Sequence, residues 1–334
     1  MAPSVLFLAD PREDYVADSL FHGLRSVLGD RAVDFPKREF LYSSFPAEQR
    51  ERLYGRGFSI YGQLEDIEVD RDRPLERMAA GEFDLVVVGT IWRDWHWWRD
   101  VRAGAPSDTR LAVVDGADVP WMYPYGPTWW RSPRGWLLPR AHRRAAYFKR
   151  EWTPATGRLR WYGLAPGAVA DRLPLHEIAI SYPEEKLASE APPKRQQFPA
   201  HVVDPELAAR LPDASSGYAF SDEAAYTDDL RASRFGITTR KAGWDAMRHY
   251  ELAANGAVPC FRDLDEKPAR CAPHGLEPGQ NCLSYRDADD LLAQVEAVTG
   301  ERYGQLVEGA LQWASGNTTR RRAEQFLQTL GLTA

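Results

Sequence analysis

The chain has 334 residues, 44% of them hydrophobic and 27% charged, and carries a net charge of −6. That length suffices for two domains of ordinary size, and the acidic balance argues against general nucleic-acid binding. Three cysteines in no paired framework fit a reducing cytoplasm, and no apolar run approaches the ~18 residues of a membrane span.

Ser4 to Ala9 reads as a first β-strand rather than a leader, because its apolar run is short and meets Asp10-Pro11-Arg12 at once. Tyr15 to Leu28 has helical spacing, with Val16, Leu20, Leu24 and Leu28 along one face. The loop between them lacks G-x-G-x-x-G, so neither NAD nor FAD is expected. A first βα loop is still a favoured site position, and Asp10 is a candidate base there. Asp14 is placed to cap the helix and Asp18 to be solvated. Lys37 to Glu68, aromatic and punctuated by Gly55, Gly57 and Gly62, reads as an irregular insertion over the open edge of the domain.

Leu75 to Ala80 reads as a short helix and Phe83 to Gly89 as a buried strand. Trp92, Trp95, Trp97 and Trp98 crowd around His96. So many rings on nearly adjacent positions cannot all face one core, so some are expected to be exposed and to stack on a ligand. Leu111 to Val114 is a strand running into Asp115-Gly116-Ala117-Asp118. Carboxylates at a strand's carboxyl end suit general-base work, which makes Asp115 and Asp118 candidates; capping is the structural alternative. Pro120 to Leu138 is too rich in helix breakers for a helix and reads as a lid or acceptor platform. Lys149 and Arg150, in AAYFKRE, read either as cations facing an anionic ligand or as a solvated helix end. Arg158 to Tyr162 reads as a strand, and Leu175 to Tyr182 as a further segment before Pro183. Lys186 to Gln197 is a Pro-containing linker. The boundary falls near Asp171–Pro192, which gives domains 1–178 and 179–334.

In the second half, Ala200 to Val203 reads as a strand, Pro205 to Leu211 as a short helix and Tyr226 to Ser233 as a longer one. FGITTRKAGWDAMRHYELAANGAVPCF, from Phe235, reads as a βαβ unit. It has a strand to Thr239, a basic loop, a helix from Trp244 to Ala254, a stop at Asn255-Gly256 and a buried strand to Phe261. Arg240, Lys241 and the helix N-terminus would lie where such units bind anions. Arg248, His249 and Glu251 follow within about one helical turn. Arg248 and Glu251 read either as a surface salt bridge or as ligand contacts. Asp263 sits in an acidic loop beyond the next strand. Cys260, Cys271, His274 and Cys282 are widely spaced with no C-x-x-C, so no metal site is read. Ala288 to Thr299, Tyr303 to Ser315 and a segment from Asn317 read as helices.

The run SRFGITTRKAGWDAMRHYELAANGAVPCF resembles the donor-binding segment of GT-B glycosyltransferases, closest to exostosin-like and family-1/4-like bacterial enzymes. Arg248, Glu251, Ala253, Gly256, Val258 and Pro259 carry the pattern, with Leu252 where the pattern has Ala; the clear part spans Tyr226 to Tyr285. The resemblance implies an α/β fold of two Rossmann-like domains facing across a cleft, with the last helix crossing back to the first. It implies Glu251 on the ribose of a nucleotide sugar, Arg240, Lys241 and Arg248 on its diphosphate, and no divalent metal. Phe148 to Glu151 resembles a block found at a similar stage in related enzymes. Many retaining members carry a second Glu eight positions before the first; here that position is Gly243, and the E-x7-E pattern is incomplete.

The expected function is transfer of a sugar from a nucleotide-sugar donor, a co-substrate rather than a resident cofactor, to an acceptor hydroxyl or amine. Arg240, Lys241, Arg248, His249, Glu251, Lys149, Arg150 and Asp263 are the donor-site candidates. Asp115, Asp118 and Asp10 are the candidate bases. The alternatives are a non-catalytic carbohydrate- or nucleotide-binding protein, or a nucleotide-sugar hydrolase or epimerase.

Overall fold

The computed structural model describes residues 2–123, 143–156, 174–212, 214–217 and 219–333. The strand read at Arg158–Tyr162, and the Pro/Gly/aromatic loop beyond residue 123, lie outside them. The first half runs β1 (Val5–Leu8), α1 (Tyr15–Leu28), β2 (Ala32–Phe35), α2 (Pro74–Ala79), β3 (Leu85–Val88), α3 (Trp95–Gly104), β4 (Arg110–Asp115), β5 (Ala146–Lys149) and β6 (Leu175–Glu177). These strands form one parallel sheet in the order β2-β1-β3-β4-β5-β6. Successive strand residues face opposite sides. Val5, Phe7, Leu85, Val87 and Val114 pack on α1, while Leu6, Leu8, Val86, Val88 and Val113 pack on Met78, Trp98 and Val101.

The second half holds α4 (Glu223–Ala232), β7 (Phe235–Thr238), α5 (Met247–Ala254), β8 (Val258–Arg262), β9 (Leu283–Tyr285), α6 (Ala288–Ala297), α7 (Gly300–Gly316) and α8 (Thr319–Thr329). The strands β7-β8-β9 form a second parallel sheet. One side of it packs on α6 and α7 through Leu291, Val295, Leu306 and Val307. The other side meets α5, and that core runs on without a break into the core under α1.

α8 lies on α1 of the first half. Its Ala323, Phe326 and Leu327 complete the core there, and Thr319 Oγ1 meets His22 Nδ1 at 2.9 Å. The approach is close: a Cβ on Gly23 would stand 1.9 Å from the Thr319 carbonyl oxygen. No helix among the described residues is long and apolar enough to cross a membrane.

Several expectations need correction. Phe148-Lys149 ends a strand rather than a helix, because its residues alternate between the two faces of the first sheet. Ala200–Val203 makes no strand and contributes one isolated bridge, His201 to Ser215. Asp14 caps α1, accepting the N–H groups of Val16 and Ala17. Asp18 is not solvated: it is fully buried and paired with Arg38. Arg38 also donates to the carbonyls of Asp10 and Arg12, so the buried pair pins the first βα loop. Burial raises the Asp18 carboxyl to about 6.

Candidate functional site

α5 begins at Met247, not at Trp244, because hydrogen bonds to other parts of the chain hold the preceding residues out of the helix. Trp244 donates its N–H to Glu151 Oε1 (2.9 Å). Asp245 accepts the N–H of Ile180 (2.8 Å) and the phenol of Tyr250 (2.9 Å). Ala246, in extended conformation, is the N-cap and supplies no side-chain cap; His249 donates its N–H to the Ala246 carbonyl, and the N–H groups of Met247 and Arg248 stay available to a ligand. This helix end opens on a cavity of about 370 Å³ whose walls come from both halves. Tyr15, Tyr54 and Phe58 of the first half face Phe220, Tyr226 and Glu251 of the second.

Glu251 and Arg248 meet through a phenol. Tyr226 donates to Glu251 Oε2 (2.6 Å) and accepts from Arg248 Nη1 (3.1 Å). The other Glu251 oxygen accepts the hydroxyl of Ser59, a residue of the first half (2.5 Å). Arg248 is buried and committed to protein acceptors: Nε donates to Ile237 O (2.9 Å) and Nη2 to His201 O (2.6 Å). Its charge borders the cavity, but its guanidinium serves mainly to hold β7, α4 and the His201 segment together. Burial and the neighbouring Glu251 carboxylate push the Tyr226 phenol well above its ordinary range, so it acts as a fixed donor.

Three cations remain at the cavity or its rim. Lys241 and Arg150 line it. Arg240 is exposed beside it, with its guanidinium 4.8 Å from the centre of the Trp244 ring. Arg150 comes from the first half and pairs with Asp118, which also lines the cavity and is about half exposed.

The other candidates lie elsewhere. Asp115 is buried between Tyr147, whose phenol donates to Oδ2 (2.5 Å), and Lys149, whose Nζ lies 3.1 Å from Oδ1. Asp115 and Lys149 are register partners on β4 and β5, so both point into the sheet's packing and neither reaches the cavity. Asp10 is gripped by Arg12, which holds its carboxyl below the usual carboxylate range, a poor setting for a base. His249 is fully buried; its Nε2 donates to Trp244 O (2.9 Å) and its Nδ1 accepts the Thr238 hydroxyl (2.8 Å). Burial lowers its pKa to about 4, so it is a neutral core histidine. Asp263 sits beyond β8 with a left-handed backbone and does not line the cavity. The three cysteines are buried; Cys271 donates to Glu151 Oε2 (3.0 Å). In the tryptophan cluster, Trp98 is core, Trp97 meets Phe35 edge-on, and Trp92 is exposed under Arg93. None of the three lines the cavity.

Sequence reasoning missed Ser59, Glu151, Asp245 and Tyr226. Ser59 stands 192 positions before its partner Glu251, and no local spacing signals such a pair.

No protein-family model matches the sequence, and no curated protein matches it. Solved structures do match along nearly the whole chain. The Anabaena protein Alr3699/HepE in complex with UDP aligns with a TM-score of 0.56 at 11% identity, over 98% of this chain and 99% of that one. The same protein in complex with UDP-glucose gives 0.51 at 10% identity, with the same coverage. A glycosyltransferase from Rickettsia africae ESF-5 gives 0.48 at 9% identity, over 99% and 98% of the two chains. Two parallel-sheet halves, a cavity walled by both and the end-to-end likeness to the Anabaena protein identify the architecture as the GT-B fold.

Proposed function

We propose that the chain is a glycosyltransferase that moves a sugar from a nucleotide-sugar donor to an acceptor hydroxyl or amine. One observation carries this reading. Glu251 presents a carboxylate in a cavity shared by both halves, next to an uncapped helix N-terminus and two cations. A carboxylate accepts hydroxyls of a ribose or sugar, while cations and free N–H groups bind a diphosphate. The complexes of the like-folded Anabaena protein with UDP and UDP-glucose support a uridine diphosphate sugar as the first donor to test.

In this reading Lys241, Arg150 and the α5 N-terminus stabilise the charge that builds on the leaving diphosphate, and no divalent metal is required. The second half holds the donor and the first half the acceptor. Asp118 takes the acceptor's proton if the reaction inverts. If it retains, the leaving phosphate takes that proton and Asp118 orients Arg150.

The test is a thermal-shift screen against nucleoside diphosphates and their sugars, with and without magnesium. Binding to the native state raises the melting temperature by mass action. The expected result is a clear rise with UDP or UDP-sugars that disappears in Glu251→Ala. No rise with any nucleotide would sink the reading.

A further inference from the structure

Residues 54–60 of the first half reach across the cavity and touch the second half at three points. Ser59 N–H donates to Glu223 Oε1 (2.7 Å), Ser59 Oγ donates to Glu251 Oε1 (2.5 Å), and the Phe58 ring stacks on Tyr226 (5.7 Å between centroids, 30° between planes). Lys186 shares the same Glu223 oxygen (2.5 Å). The segment is held in an unusual shape. Arg56 and Ser59 both have left-handed backbones, with φ of +58° and +71°, a conformation that side chains disfavour and that persists where surrounding contacts enforce it.

A hydroxyl is what a sugar or ribose would offer Glu251, and here Ser59 offers it. With Tyr226 on one oxygen and Ser59 on the other, both Glu251 oxygens already accept a hydrogen bond from the protein. We propose that the segment around Ser59 is a strap whose hydroxyl holds a donor hydroxyl's place on Glu251, and that donor binding releases it from Glu251 and Glu223. This rests on the reading of the cavity as a nucleotide-sugar site. It makes the donor compete with a first-half segment, so an empty cavity stays closed and filling it frees the strap.

The experiment is calorimetric titration of the full chain with UDP and with UDP-glucose, together with amide exchange at residues 54–60. Ser59→Gly removes the competing hydroxyl and tolerates the left-handed backbone, which protects folding. Glu223→Gln weakens the second anchor without touching the cavity lining. Both variants are expected to bind UDP-glucose about tenfold more tightly than wild type, the worth of one charge-assisted hydrogen bond no longer displaced. In wild type, exchange at the Ser59 amide is expected to rise on binding. If the nucleotides bind wild type, but both variants bind equally or more weakly and Ser59 exchange falls, Ser59 is part of the bound site and the strap is overturned. If wild type and both variants bind no nucleotide, the donor-site reading itself fails, and the strap with it.

Discussion

A side chain on Gly243 would collide with the carboxylate of Glu151. A Cβ built there stands 2.5 Å from Glu151 Oε1 and 2.6 Å from Asp118 Oδ1. Both carboxylates belong to the first half and Gly243 to the second. The bare backbone is what lets the Trp244 N–H reach Glu151 across the junction. Gly243, eight positions before Glu251, thus faces two carboxylates from the other half. Gly243→Ala is expected to lose about 1–3 kcal/mol by overpacking, and less in a Glu151→Ala background, where one of the two neighbouring carboxylates is gone. Denaturant unfolding of the four-member cycle measures this; an additive result would show that the two positions do not contact.

Asp115 and Asp118 are three positions apart and separate cleanly by test. Asp115→Asn leaves the fully buried Lys149 without its counter-charge, at an expected stability cost of about 3–5 kcal/mol. Asp118 is half exposed, so Asp118→Asn is expected to change stability by about 1 kcal/mol or less. If Asp118 is the base, the same change lowers turnover by about a hundredfold or more with donor affinity kept. Wild-type turnover in Asp118→Asn would clear it of that role.

Tyr226→Phe removes the phenol that joins Arg248 to Glu251. A buried guanidinium then loses an acceptor, which costs about 1–3 kcal/mol. The freed Glu251 oxygen is expected to weaken donor binding through loss of orientation, so the dissociation constant for UDP and the melting temperature should worsen together. A variant with lowered stability and unchanged UDP affinity would make Tyr226 purely structural.

His249 and His22 are expected to lower stability with acid between pH 6.5 and 4, against an opposite contribution from the buried carboxyls of Asp18 and Asp94, both raised to about 6 by burial. His249 has an ordinary pKa of 6.5 and a folded pKa of about 4, lowered by burial. Within that window the unfolded chain binds a proton that the folded chain refuses. Its contribution is therefore complete above pH 6.5 and is lost as pH drops, by about 3 kcal/mol in full. His22, also lowered to about 4 by burial, acts in the same direction. Melting temperatures from pH 7 to 4.5 should fall less steeply in His249→Gln; an unchanged slope would mean that His249 is not held neutral.

The regular elements were legible because local pattern dictates them. The apolar face of Tyr15–Leu28, the strands around Val87 and Val113 and the stop at Asn255-Gly256 all lie where periodicity and turn chemistry put them. Glu251, Lys241, Arg150 and Asp118 stood out in the sequence by charge and spacing, and the structure brings them to one cavity. Asp115, Lys149 and His249 looked equally functional in sequence. Burial and pairing assigned them to structure, and no local sequence signal separates an Asp that faces a cleft from one that faces a lysine. Ser59 and Glu151 were invisible because their roles exist only once two distant segments meet.

The helix Thr319–Thr329 sets an order on synthesis. The first-half segment, with α1 and its sheet, lacks Ala323, Phe326 and Leu327 from its packed interior until that helix has been made. A nascent chain stalled before Thr319 would expose the apolar side of α1 to chaperones and proteases, and a fragment of the first 178 residues would share that defect. Of the two halves, the one made before the other thus waits on the later one to complete its core.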